Sequence, residues 1–348
     1  EVIVVGYGTQ KKSDVTGAIS SVDNKDFKDQ PVGNIAGSIQ GKVSGVNVTN
    51  PSGTPGSSLL VSVRGQSNPL YVVDGIPLLS ESNSAMATSF DTQGNVTGNG
   101  QSISSISDIN PNDIASIEIL KDASSAAIYG ARAANGVILI TTKRGAAGKT
   151  QFGLNYYTGI QQVANPIKFL SSDEFVSLVE EGRQNDLNAY DQDPEIFGPD
   201  FDPALLTNPL PETWYTGVNT AWLDEIFRSA PVNNLEFSAR GGNEKTKFYS
   251  GISYFDQQGI VIESYYKRFN TRLNIDHQIN DHFSFGENLS LTYSRNRRSF
   301  NDDVYTGVVT NALGASPLMP VYNDDGSYAG FEDYQVSWLS DNPVKSAH

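Results

Sequence analysis

The chain has 348 residues, no cysteine and a formal net charge of −15. A length of this order accommodates two domains. The absence of thiols excludes a disulfide framework and a thiolate metal centre, and an acidic surface with no basic stripe excludes nucleic acid as a partner. The charge is uneven: residues 151–348 carry 14 of the 15 net negative charges, and residues 161–232 hold 13 acids against 3 bases. No apolar run reaches the ~18 residues of a transmembrane helix, but a membrane strand needs only ~9–11 alternating residues. The chain begins at Glu1 rather than Met, as expected of a processed or partial chain, so targeting is not legible in it.

Residues 1–8 read EVIVVGYG. This is an apolar β-former followed by a polar run, the kind of extended segment that pairs with a sheet edge on another protein or joins the chain's own sheet. A helix is expected over residues 32–40, with Ile35 and Ile39 at i, i+4. Strands are expected over residues 46–48, 60–63 and 71–73, and residues 80–107, rich in Ser, Asn, Gly and Thr, read as loop. Asn110-Pro111 is a helix-start signal. Residues 117–120 read as a strand, and residues 123–129 as a short helix that Asp122 caps and Gly130 ends. GVILITT (residues 136–142) is a strand too apolar to be a half-solvated edge.

After Gln151 the style changes to long alternating strands. Phe152, Leu154, Tyr156, Thr158 and Ile160 share one face. Leu235, Phe237 and Ala239 oppose Glu236, Ser238 and Arg240. Phe269, Thr271, Leu273 and Ile275 oppose Asn270, Arg272, Asn274 and Asp276. Phe283, Phe285, Leu289, Leu291 and Tyr293 oppose Ser284, Gly286, Asn288, Ser290 and Thr292, with Glu287 breaking the apolar row. A strand also covers residues 246–255, with aromatics on both parities. The connections alternate between short (GNEK, QIND) and long, the pattern of outer-membrane barrels with short periplasmic turns and longer extracellular loops. Five such strands cannot stand alone in lipid, because an open sheet leaves edge N–H and C=O groups unpaired. Most of the barrel is therefore expected outside this chain. A soluble sandwich also alternates and is the competing architecture.

Candidate site residues are few. GAAGKT (residues 145–150) ends like a phosphate-binding loop, but Lys143 stands where that loop needs Gly and a strand follows, so a hinge is the better reading. Asp191, Asp193 and Glu195 lie at alternate positions, as weak Ca²⁺ candidates without an EF-hand pattern. Trp214, Tyr215, Trp222 and Phe227 offer flat faces to a ligand, or pack the loop they belong to. Ser171 and Glu174 form a capping box for a surface helix over residues 171–185. Arg64 and Asp74 sit at strand ends. His277, His282 and His348 lack metal-ligand spacing, there is no GxSxG elbow, and neither a catalytic set nor a cofactor is called for.

Four segments in order resemble the SusC-type TonB-dependent outer-membrane transporters (SusC/RagA family): EVIVVGYGTQKKSDVTGAISSV (residues 1–22), IQGKVSGVNV (39–48), LYVVDGIPL (70–78) and NPNDIASIEILKDASSAAIYGARAANGVILITTKRG (110–145). The resemblance persists in YFDQQGIVI (254–262) and PLMPVYNDDGSY (317–328). It implies an α+β plug domain followed by the start of a large antiparallel transmembrane β-barrel, of about 22 strands when complete. The expected divisions are a TonB box at 1–8, a plug at 9–148, and barrel from 149 with extracellular loops at 161–232 and 295–348. Glu1, Val2, Ile3, Val4, Val5, Gly6, Tyr7 and Gly8 would engage the energy-coupling protein TonB, and Arg64 and Asp74 would anchor the plug by ion pairs. The implied setting is a multi-pass barrel in the outer membrane of a Gram-negative cell, in contact with its lipid. The implied partners are a SusD-like surface lipoprotein and an oligosaccharide or peptide cargo. Two rivals remain: a receptor that signals without import, and a soluble β-rich glycan-binding protein. Import assays separate the first, and detergent partition the second.

Overall fold

The apolar run GVILITT (residues 136–142) supplies the middle strand of a sheet. The structure is a computed structural model that describes residues 2–5, 8–11, 19–26, 33, 35–50, 53–57, 59–78, 106, 109–122, 126–198, 201–297, 307–336 and 341–348. Strand β10 (Val137–Thr142) pairs antiparallel with β9 (Ile114–Leu120) and parallel with β7 (Leu70–Val73). With β3 (Ile19–Asp23) and β8 (Ile76–Pro77) these form a five-stranded mixed sheet of order β3-β9-β10-β7-β8. Ile138 and Ile140 join a core with Ile35, Ile39 and Val61 on one face. Val137 and Leu139 join another with Leu120 and Tyr129 on the opposite face. Both faces of β10 are covered, which is why its sequence does not alternate.

Around this sheet, α1 (Ile35–Ile39) is shorter than the helix expected over residues 32–40, and both of its isoleucines are buried. The expected helix at 123–129 appears as a 3-10 turn, Ala127–Tyr129, ended by Gly130 at φ 71°; residues 123–125 lie outside the described residues, as does nearly all of the expected loop at 80–107. A second sheet joins β4 (Val46–Thr49), β5 (Leu60–Val63) and β6 (Gln66–Ser67). Arg64-Gly65 and Asp74-Gly75 are the two-residue tips of hairpins β5–β6 and β7–β8, with positive φ at all four residues. This is the I′ geometry that matches strand twist and favours Asp-Gly. Among the described residues, strand β1 (Val2–Val5) pairs with β2 (Gly8–Lys11) alone, apart from the five-stranded sheet.

The second style of sequence forms a wall. Strands β11 (Gly148–Gln161), β12 (Ala230–Gly242), β13 (Thr246–Gln258), β14 (Tyr265–Gln278) and β15 (Ser284–Arg297) run as an antiparallel meander in chain order. Their polarity is inverted relative to a soluble sandwich. Leu154, in the outward row of β11, is 75% exposed, and Leu235, Phe237, Ile252 and Phe269 are also exposed, whereas inward Asn234, Glu236, Asn270, Arg272 and Asn274 are buried. A sheet that covers its polar face and bares its apolar one fits lipid outside and a polar lumen inside. The facing of β13, open from sequence, is settled: Tyr249, Ser253 and Phe255 point inward and Ile252 and Tyr254 outward. Glu287, in the outward row of β15 opposite Ile275, has no structural explanation.

A separate compact unit comprises residues 162–229, 260–263 and 299–348. Its core gathers Trp222, Leu223 and Ile226 with Val308, Met319 and Val344. The helix opened by the Ser171–Glu174 capping box is longer than expected, running Ser172–Gln192.

Candidate functional site

The functional geometry lies where the small α/β sheet meets the polar face of the wall. Asn110 accepts a hydrogen bond from the Asn112 N–H (3.1 Å), and Pro111 opens a single 3-10 turn, Pro111–Asp113. That turn carries Asp113 to the wall. Its Oδ1 accepts the Tyr249 hydroxyl at 2.7 Å, and its Oδ2 lies 3.8 Å from Arg272 Nε. Burial pushes the Asp113 carboxyl above the ordinary range, while the Tyr249 hydroxyl and then Arg272 pull it back. The approach is possible because β13 has Gly251 there: a Cβ on Gly251 would sit 2.9 Å from Asp113 Oδ1.

A second acid reaches the same guanidinium from the β7–β8 tip. Asp74 accepts hydrogen bonds from Thr142 N (2.9 Å) and Thr142 Oγ1 (2.7 Å), and its Oδ2 lies 3.4 Å from Arg272 Nη1. Asn274 donates from Nδ2 to the Lys143 carbonyl (2.7 Å) and to Thr142 Oγ1 (3.2 Å). Arg144 pairs with Asp276 at 3.1 Å, and Arg268 donates to the Gly33 carbonyl at 3.3 Å. Arg272, Asp74 and Asp113 side chains are each 6–7% exposed. A buried cation shared by two carboxylates holds only while all three members are present, because an orphaned buried charge is expensive.

Against the expected site residues, the outcome is mixed. Asp74 does reach the wall. Arg64 does not: it pairs with Asp122 within the small domain, since its hairpin tip is a different one from that of Asp74. Trp222 is a buried core residue, with its indole N–H bonded to the Ser316 carbonyl (2.8 Å), and Phe227 is half-buried against the same core. Trp214 is engaged by the Tyr334 carbonyl (3.1 Å) and lies 6.1 Å from the Phe175 ring. Tyr215 is exposed and donates to Glu180 (3.0 Å). Asp193 spends its carboxylate capping the next turn at Glu195 N (3.2 Å). Among the described residues no three acidic or histidine side chains converge as a metal site, so Asp191, Asp193 and Glu195 do not form one. The GAAGKT segment is no phosphate cradle, because Gly145 lies tight against the Phe248 backbone and residues 148–150 already belong to β11. Of the terminal segment, Glu1, Gly6 and Tyr7 lie outside the described residues.

A small mixed sheet set against the polar inner face of long antiparallel strands, whose apolar side chains face outward, defines a plug-and-barrel protein. Residues 11–137 match the TonB-dependent Receptor Plug Domain family. The TonB-dependent receptor P26 of Formosa agariphila is 36% identical over 99% of this chain and 31% of its own length. The TonB-dependent receptor SusC of Bacteroides thetaiotaomicron is 31% identical over 94% of this chain and 29% of its own length. The structure of the RagAB peptide importer in an "open-open" state superposes with a TM-score of 0.70, at 28% identity, over 94% of this chain and 36% of that one. This chain belongs to the SusC-type TonB-dependent receptors, as their plug and first barrel strands. It spans about a third of the length of the relatives it matches.

Sequence reasoning missed Asp113, Tyr249, Arg272 and Asn274. The available signal was Arg272 and Asn274 alternating with Thr271, Leu273 and Ile275. Asp113 was disguised as an ordinary first-turn acid.

Proposed function

We propose that the protein to which this chain belongs imports a polar cargo across the outer membrane, energised through TonB and assisted by a SusD-like surface lipoprotein. The observation that carries this reading is the chemistry of the plug's seat: Asp74, Asp113, Thr142 and Lys143 meet Tyr249, Arg272 and Asn274 through hydrogen bonds and ion pairs. Polar contacts can be exchanged for water when the plug moves, whereas an apolar interface would have to expose its whole area at once. Residues 9–148 serve as plug and the strands from 149 as barrel.

Residues 1–8 act as the TonB box. The support is that Val2–Val5 stands outside the plug sheet in a two-stranded hairpin, and an isolated hairpin is marginally stable in water. Opening it frees a strand for edge pairing with TonB. The cargo is an oligosaccharide or a peptide; RagAB is described as a peptide importer. Residues 162–229, the long connection between β11 and β12, would be an extracellular loop in this reading.

Removal of residues 1–5 from the full-length protein should abolish uptake and leave cargo bound at the cell surface. Undiminished uptake would overturn the energy-coupling reading. Surface binding without uptake in the wild type would favour a signalling receptor.

A further inference from the structure

The outward face of the wall changes character at one end of β14 and β15. Period-two alternation puts Tyr265 and Lys267 on the same face of β14 as Phe269, Thr271 and Leu273. It puts Arg295 and Arg297 on the same face of β15 as Leu291 and Tyr293. Strand register sets Phe269 opposite Tyr293, then Lys267 directly opposite Arg295, then Tyr265 opposite Arg297. The apolar row therefore passes through a pair of aromatics into a pair of cations. Towards the other end the outward rows stay apolar, with Phe152, Ala239, Phe248, Ile275 and Phe285.

The cations converge. Lys267 Nζ lies 5.7 Å from the centre of the Tyr265 ring, and Arg295 Cζ lies 5.9 Å from the same ring. Like charges directly opposite in a ladder destabilise it. Asp256 of β13, opposite Lys267 in register, pairs with it at 3.3 Å. Within these strand rows one carboxylate faces three cations, so the patch is positive. Lys267 keeps 41% of its side chain exposed beside that acid, and Arg295 is exposed as well. An anion from outside the chain would relieve the repulsion between them.

The place of the patch says which anion. It borders the exposed apolar band of Phe269, Leu291 and Tyr293, at the depth where a bilayer changes from acyl chains to headgroups and where tyrosine is enriched. A guanidinium and an ammonium side by side suit a phosphate, and basic groups beside a membrane attract anionic headgroups. The short β12–β13 and β14–β15 turns lie at the opposite end. Short turns are periplasmic in outer-membrane barrels, so the leaflet concerned is the outer one.

We propose that Lys267 and Arg295, with Tyr265 between them and Arg297 beside them, bind the phosphate of a lipid in the outer leaflet, whose acyl chains lie along Phe269, Leu291 and Tyr293. The site rests on the wall standing in lipid and is independent of import.

The test titrates the full-length protein, in a neutral detergent, with phosphorylated lipid A and with the same lipid after dephosphorylation, reading retained lipid by native mass spectrometry. The phosphorylated form should bind at least about tenfold more tightly. Lys267→Gln combined with Arg295→Gln should remove that preference, while Lys245→Gln, in the short β12–β13 turn, should keep it. Asp256→Asn removes the acid that competes for Lys267 and should tighten binding at least about threefold, a gain that a misfolded barrel cannot give. Equal affinity for the two lipids, or a preference that survives the double variant, overturns the site. Binding unchanged or weakened in Asp256→Asn overturns its placement at Lys267. Loss of lipid binding in millimolar inorganic phosphate at constant ionic strength overturns the lipid assignment and makes the patch a site for soluble anions.

Discussion

Asp74 Oδ2 lies 3.4 Å from Arg272 Nη1, joining a hairpin tip of the plug to the fourth strand of the wall. The same guanidinium faces Asp113, so one side chain of the wall serves two separate turns of the plug.

Arg272→Ala should therefore weaken plug seating by about 3–5 kcal/mol, because it leaves two buried carboxylates with no cation. Hydrogen exchange at β7, β8 and β10 of the full-length protein reads this directly. The triple change Arg272→Met, Asp74→Leu and Asp113→Leu should recover most of the loss, since the penalty lies in unpaired charge. Unchanged protection in the single variant would falsify the clamp.

Gly251→Val adds a side chain where a Cβ alone would stand 2.9 Å from Asp113 Oδ1 and 3.1 Å from Tyr249 Oη. Overpacking of this kind costs about 1–3 kcal/mol. The expected result is faster exchange around residues 111–113 with the outward face of β13 undisturbed. Protection equal to wild type would mean that Asp113 does not approach the wall this closely.

The outward row of the wall makes a prediction about lipid. Leu154→Arg, at the middle of β11, should destabilise the assembled barrel by about 2–4 kcal/mol, the range for a cation at the bilayer midplane. Ser238→Arg, on the inward face, should cost far less. Folding titrations in lipid vesicles compare them, and an equal penalty for the two would contradict the assignment of faces.

Trp222→Ala should destabilise the compact unit built from residues 162–229, 260–263 and 299–348 by about 3–5 kcal/mol, the range for deleting a buried tryptophan side chain. Tyr215→Ala, at an exposed position, should stay within about 0.5 kcal/mol. Limited proteolysis of the two variants separates them. If Trp222→Ala lost cargo affinity with proteolytic resistance intact, the indole would belong to a binding surface after all.

Glu118 gives a pH dependence inside the plug. Burial pushes its carboxyl above the ordinary value, against the Ser116 hydroxyl bonded to it at 2.7 Å. The folded plug therefore binds a proton more tightly than the unfolded chain. Stability is greatest below the unfolded pKa of about 4.3 and declines as pH rises through the raised value. Glu118→Gln should flatten that decline and stabilise β9 at neutral pH, measured by hydrogen exchange across a pH series. A wild-type profile that rises over the same window would reverse the sign and reject the account.

Much of the fold was legible in local pattern. Alternation in Leu235, Phe237 and their neighbours marked the barrel strands, the unbroken GVILITT run marked a strand covered on both sides, and Ser171 with Glu174 marked a helix start. These signals arise from the period of one element and the chemistry of its ends. The site was far less legible. Arg64 and Asp74 occupy equivalent hairpin tips with the same Gly after them, yet one turns to Asp122 and the other to Arg272. Trp222 and Tyr215 both read as loop aromatics, and only packing made one of them core.

The sequence alone determined the two styles of the chain, the family it resembles and the polarity of every wall strand but β13, because periodicity and turn chemistry are properties of neighbouring residues. Tertiary structure decided which acids meet Arg272, which hairpin tip of the plug reaches the wall and which way β13 faces. The plug–wall contacts join residues up to 235 positions apart, and such pairings depend on strand register and on where a one-turn helix points, neither of which is fixed by any single stretch of residues.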